Sequence, residues 1–165
     1  MIKKIAAAVV FLACSVNAQW ASAQSTPLPG VGFKLGDDVA TVKEALKTNA
    51  ETEPMARNPL LPANVPDVNQ GKTVLHLRTK GIWVFFNPSG NVQTIRLDAP
   101  FGGNVLGVKI GDKVAKISEK LGSPIKKPAT VPLLNTQSYQ YVIDDSAYVN
   151  FLANEDGVQI IFITR

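Results

Sequence analysis

Histidine, cysteine and paired carboxylates are the side chains that would carry catalysis or hold a metal, and this chain has few of them. It contains one histidine, His76, set in an apolar run, and one cysteine, Cys14, near the start. Acid–base catalysis needs titratable groups whose pKa values are pushed apart and which sit within hydrogen-bond reach of the reacting atoms. A solitary histidine supplies one such group and no second. The serines lie mostly near turn residues, and no Gly-x-Ser-x-Gly elbow raises one as a nucleophile. Acidic residues gather at Asp37-Asp38, Asp144-Asp145 and Asn154-Glu155-Asp156-Gly157. A calcium loop would need further acidic ligands and a closing glutamate, so helix caps and turns explain these acids better. The sequence therefore predicts a chain that is not an enzyme and that uses no cofactor and no metal.

Binding chemistry is better represented. In the run Ile82-Trp83-Val84-Phe85-Phe86, successive side chains of a strand point to opposite faces, so Trp83 and Phe85 share one face while Ile82, Val84 and Phe86 share the other. A four-residue turn over 88–91, with Asn91 in the left-handed region, would set Val84 against Ile95, Ile82 against Leu97 and Trp83 against Arg96. A three-residue turn would reverse that last strand; the first register is preferred because it collects an aliphatic face for a helix to cover, as copy two does with Val149, Phe151, Ile161 and Ile163. The preferred register leaves Trp83, Phe85, Thr94 and Arg96 opposite, joined by His76 and Arg78 from the preceding strand and by Tyr148, Asn150, Ile160 and Phe162 from a later hairpin. Tryptophan, tyrosine and arginine dominate binding hot spots, each worth roughly 2 kcal/mol or more when buried at an interface. His76, Arg78, Trp83, Phe85, Arg96, Tyr148, Asn150 and Phe162 are thus the expected partner-binding residues. The competing expectation is that a second sheet or the proline-rich loops cover these rings and make them ordinary core.

The elements that must position this face come in two copies. Gly32 to Leu46 recurs 75 positions later as Gly107 to Leu121, with Gly32-Phe33-Lys34-Leu35-Gly36-Asp37 answering to Gly107-Val108-Lys109-Ile110-Gly111-Asp112. Repetition at a fixed period marks a unit that buries its apolar face against its twin. Val39, Val42 and Leu46, and likewise Val114, Ile117 and Leu121, recur at i, i+3 and i+7, predicting one amphipathic helix per copy. Each helix follows a Gly-Asp pair expected to supply an N-cap carboxylate, and Gly122 and Pro124 end the second.

A proline-rich stretch containing Pro-Leu-Leu follows in both copies, at 59–61 and at 132–134, with the first some ten residues longer. Alternating runs then predict strands over 73–79, 82–86 and 92–97, and over 138–143, 149–153 and 158–163. The expected fold class is α+β: two tandem repeats of helix, loop and three-stranded antiparallel sheet, over residues 28–99 and 104–165.

The start of the chain has Lys3 and Lys4, an apolar run Ile5 to Ala13, and small residues ending Ala21-Ser22-Ala23. That is the layout of a secretory signal peptide, residues 1–23, cleaved after Ala23 or after Ala18. Nine apolar residues are too few to span a membrane, which takes roughly 20. The expected location is periplasmic or secreted. A rival reading takes Cys14 as the acylated first residue of an outer-membrane lipoprotein, although phenylalanine leads the preceding Phe11-Leu12-Ala13 where leucine is usual. Otherwise Cys14 leaves with the leader, and disulfides and thiolate chemistry leave with it. Without the two leader lysines the 17 basic residues fall to 15 against 13 acidic ones, scattered without a basic stripe, which argues against nucleic acid as partner.

Ile110-Gly111-Asp112 through Val114, Ile117 and Leu121-Gly122-Ser123-Pro124 resembles the helix motif of the BamE (SmpA/OmlA) family of outer-membrane assembly lipoproteins. That family has a single copy and carries a methionine where this chain has Asp112. Two copies are similar in architecture to the beta-lactamase inhibitor protein, whose tandem units present a concave sheet to an enzyme and carry disulfides. The resemblance implies binding and transfers no catalytic residue. The expected function is an exported, non-catalytic protein-binding module, with an inhibitor or immunity-type protein as one form, acting on another envelope or secreted protein. The alternatives are a BamE-like assembly accessory, or a carrier holding a small apolar ligand between two sheets with Trp83 and Tyr148 as walls.

Overall fold

The computed structural model describes residues 27, 28, 30–144 and 147–165. The signal-peptide residues, both cleavage positions and Cys14 lie outside them. Two helices occupy the predicted apolar stripes: α1 is Val39–Leu46 and α2 is Val114–Leu121. Eight strands accompany them: β1 (Glu53–Pro54), β2 (Thr73–Leu77), β3 (Ile82–Phe86), β4 (Val92–Asp98), β5 (Ala129–Val131), β6 (Thr136–Asp144), β7 (Ala147–Asn154) and β8 (Gly157–Thr164). Among the described residues no helix is long and apolar enough to cross a membrane.

The expected pair of three-stranded sheets is not what forms. All eight strands make one antiparallel sheet in the order β1-β2-β3-β4-β8-β7-β6-β5. Among the described residues the fold is dominated by this sheet, with two short α-helices and two 3-10 turns beside it. The seam is β4 against β8, where Ile95 faces Ile163, Arg96 faces Phe162 and Leu97 faces Ile161. Two separate sheets would each have ended in a long strand with a row of unpaired N–H and C=O groups. They would also have left two cores of about 65 residues, a size that buries only about 60% of the surface its unfolded chain exposes. Joining β4 to β8 removes both costs and unites the aliphatic faces. Leu75, Val84, Ile95, Val149, Phe151, Ile161 and Ile163 enter one buried cluster with Val42 and Leu46 of α1 and Ile117 of α2. Burying each such side chain contributes roughly 1.5–3 kcal/mol.

The repeated Gly-Asp pair has a different job from the one expected. Only α1 has a carboxylate N-cap, Asp38, whose side chain accepts from the Thr41 N–H at 2.8 Å. At α2 the cap position falls on Lys113, which makes no side-chain cap bond. Asp112 instead accepts from the Lys109 N–H at 2.9 Å, as Asp37 accepts from the Lys34 N–H at 2.9 Å. Each Gly-Asp turn is then clamped to the last strand of its hairpin. Gly36 donates to the Val92 carbonyl and Val92 to the Asp37 carbonyl, both at 2.8 Å; Gly111 donates to the Val158 carbonyl at 2.8 Å and Val158 to the Asp112 carbonyl at 2.9 Å. Gly157 sits under this second clamp with φ +115°, where a Cβ would stand 2.5 Å from the Gly111 carbonyl oxygen.

The β3–β4 hairpin has the predicted register: Val84 opposite Ile95, Ile82 opposite Leu97, Trp83 opposite Arg96. It reaches that register by another route. Gly90, at φ +80°, takes the left-handed conformation expected of Asn91, and a bulge beside Phe86 absorbs the extra residue. The Asn87 side chain closes the turn by accepting from the Ser89 and Asn91 N–H groups, each at 3.0 Å.

The outermost strand on each side of the sheet is short and bounded by proline. β1 is two residues long and ends in Pro54, and β5 is three residues long between Pro128 and Pro132. The long stretch between β1 and β2 has its own wiring. Arg57 donates to the Pro62 and Val65 carbonyls at 2.6 and 3.2 Å, and the Asp67 carboxylate accepts from the Asn58 and Asn69 N–H groups at 2.9 Å each.

Candidate functional site: the open sheet face

Side-chain alternation puts every second residue of the sheet opposite the helices. Register then lines up His76, Trp83, Arg96, Phe162, Asn150 and Gln140 as one direct row, each facing the next across β2, β3, β4, β8, β7 and β6. A second row runs beside it: Val74, Phe85, Thr94, Thr164, Tyr148 and Val142. None of these residues belongs to the helix-covered cluster. The chemistry is concentrated where the two halves meet.

The row is stacked edge-up. His76 lies against Trp83 with ring centroids 3.1 Å apart and planes 17° from parallel. On the other side of Trp83 the Arg96 guanidinium carbon is 5.2 Å from the ring centroid, and it is 6.0 Å from that of Phe162. Phe85 lies 6.5 Å from Trp83 along the strand, nearly parallel. Cation–π contacts of this kind contribute roughly 0.5–1 kcal/mol when exposed and more when desolvated. His76 of β2 and Arg96 of β4 thus both contact Trp83 from its neighbouring strands. Arg96 is fixed further by an ion pair from its Nη2 to Asp98 Oδ2 at 2.8 Å, while its Nε is buried without a hydrogen-bond partner.

His76 is held below the usual histidine pKa. Burial is the main cause and the Arg78 charge adds to it, against weaker opposing pulls from Asp98 and Glu53. The ring is therefore neutral at pH 7, which suits a stacking partner of Trp83. Among the described residues no three histidine, cysteine or carboxylate groups come together as metal ligands.

Seven of the eight expected partner-binding residues lie on this face: His76, Trp83, Phe85, Arg96, Tyr148, Asn150 and Phe162. Arg78 does not join the row. β2 ends at Leu77, and Arg78 opens a short 3-10 turn, exposed, beyond the sheet. Tyr148 is the most open of the rings at 37% exposure. Asn150 Oδ1 accepts from the Ser138 hydroxyl at 3.4 Å. The sequence reading missed Asp98 and Gln140. Asp98 shares the parity of Arg96, and was lost because β4 was expected to stop at Leu97.

A ligand chamber between two sheets has no place in a single sheet. Cavities of about 570 and 470 Å³ lie elsewhere, one within the stretch joining β1 to β2 and one beside β5, β6 and the start of α2, and neither is lined by Trp83 or Tyr148.

No protein-family model and no curated protein matches the sequence. Solved structures give likeness of shape. A DUF4309 family protein from Bacillus subtilis superposes with a TM-score of 0.46 at 16% identity, over 78% of each chain. A cysteine-rich secretory protein from Staphylococcus aureus gives 0.51 at 14% identity, covering 85% of this chain and 46% of that one. This chain thus spans about half the length of the staphylococcal protein, and at such identity the likeness is one of fold alone.

Proposed function

We propose that this is an exported, non-catalytic protein-binding module that docks another envelope or secreted protein on its open sheet face. An inhibitor or immunity-type protein, blocking an enzyme by occlusion, is the form this reading takes. The observation that carries it is the in-register row His76, Trp83, Arg96, Phe162, Asn150 and Gln140 on the face opposite α1 and α2. Ordered aromatic and arginine side chains lose little further entropy on contact, which is what makes such residues anchors. The export reading is supported by the leader-like residues 1–23.

The test is affinity capture from an envelope extract, followed by titration of each captured protein, once purified, against wild type and Trp83→Ala. A true partner loses at least about tenfold in affinity with the variant, equivalent to about 1.4 kcal/mol. Equal affinity for both forms would remove the sheet face from the reading.

A further inference from the structure

The second cavity lies on the helix side of the sheet, away from the row just described. It is a groove of about 470 Å³ whose lining includes Thr130 of β5, Gln137 and Tyr139 of β6, Asn135 before them, and Asn154 where β7 turns into β8. Register sets Thr130 opposite Gln137, Gln137 opposite Ala153 and Tyr139 opposite core residue Phe151, so these side chains project toward α2. Val114, the first residue of α2, joins the lining.

Ligand sites of this size are usually apolar with a few polar groups, and this one inverts the proportion. Thr130, Asn135, Gln137, Tyr139 and Asn154 each carry a neutral group able both to donate and to accept a hydrogen bond. Some of that capacity is used internally. Tyr139 donates to Gln137 Oε1 at 3.0 Å, and Asn154 Oδ1 accepts from the Asp156 N–H at 2.9 Å and from Gln159 Nε2 at 3.2 Å. Both uses occupy the amide oxygens and leave the Gln137 and Asn154 N–H groups to donate outward. No cation lines the groove to select an anion. The nearby Lys113 ammonium is committed to the Glu155 carbonyl at 2.8 Å. Glu155 contributes an acceptor at the exposed rim, and Val114, Pro132, Ala153 and the Tyr139 ring supply short apolar walls.

A matching ligand is uncharged, carries hydroxyls that donate and accept around its edge, and presents small C–H faces. We infer that this groove is a saccharide-binding site, with room for roughly one or two sugar rings. It is independent of the docking face. The test is titration of the ¹⁵N-labelled protein with cellobiose, chitobiose and maltose in turn, with glutamate and lysine as charged controls, following the side-chain amide signals of Gln137 and Asn154. The expected result is a saturable shift of both amides with at least one sugar at millimolar affinity, weakened about tenfold or more by Gln137→Ala and unchanged by Trp83→Ala. Gln137 is exposed, so its truncation leaves the fold intact. No saturable shift with any of the sugars, an undiminished affinity read at the Asn154 amide in Gln137→Ala, or saturation by a charged control instead would overturn the assignment.

Discussion

Arg96 and Phe162 face each other across the β4–β8 ladder, the guanidinium carbon 6.0 Å from the ring centroid. They come from different halves of the chain, so the aromatic row exists only because the halves share a sheet. Half one alone would leave Arg96 on β4, an unpaired edge strand, with no Phe162 beside it.

Truncation should separate this row from the core. Trp83→Ala and Tyr148→Ala are expected to leave the melting temperature nearly unchanged, since both rings lie outside the buried cluster. Phe151→Ala removes a fully buried ring and is expected to cost about 3–5 kcal/mol. Urea unfolding of the three variants distinguishes them, and a loss at Trp83 equal to that at Phe151 would show that the row is core.

Acid should weaken the row through His76. Burial and Arg78 hold its folded pKa below the ordinary histidine value of 6.5, so the unfolded chain binds the proton more readily than the folded one. The contribution of neutral His76 is fully present above about pH 6.5 and is lost as pH falls through the depressed folded value. Unfolding curves taken through this interval should lose stability in wild type and flatten in His76→Phe. An unchanged pH slope in the variant would assign the loss to other groups.

At Gly157 the backbone itself sets the requirement. Gly157→Ala places a Cβ against the Gly111 carbonyl at a φ that side chains disfavour. A loss of about 1–3 kcal/mol is expected, read as a drop in urea midpoint without a change in slope. The control Gly90→Ala has open space around its Cβ and carries the φ penalty alone.

Adding a cap should stabilise the second helix. Lys113 already has the extended backbone of an N-cap, φ −72° and ψ 154°, without a capping side chain. Lys113→Asp should raise stability by about 1 kcal/mol, measured by thermal unfolding; no gain would mean that the Lys113 bond to the Glu155 carbonyl matters as much as a cap.

Local periodicity made the helices legible to the residue, and the β3–β4 register with them, because each is a contest between nearby side chains. The β4–β8 junction was not legible. Nothing in the alternation of 92–97 or 158–163 says whether the far side of that strand meets a second strand or water; that is settled by the combined cost of two open edges and two small cores. The cap at α2 was misjudged because a Gly-Asp pair suits both a cap and a turn, and only the chain path tells them apart. Most of the open face followed from parity alone, with Arg78 misplaced when β2 proved two residues shorter. The polar groove escaped notice because its lining is drawn from β5, β6, the β7–β8 turn and α2, segments that no sequence spacing brings together.

The proline-tipped rims bear on how other molecules approach. A two-residue strand ending in Pro54 and a three-residue strand held between Pro128 and Pro132 offer few aligned backbone donors of their own, so what a further strand would find at the second rim is mainly the stretch of β6 that runs on past β5. Copies of this protein crowded together are thereby discouraged from zipping onto the two outermost strands, and any edge-to-edge addition would have to seat itself on β6 beyond Ser138.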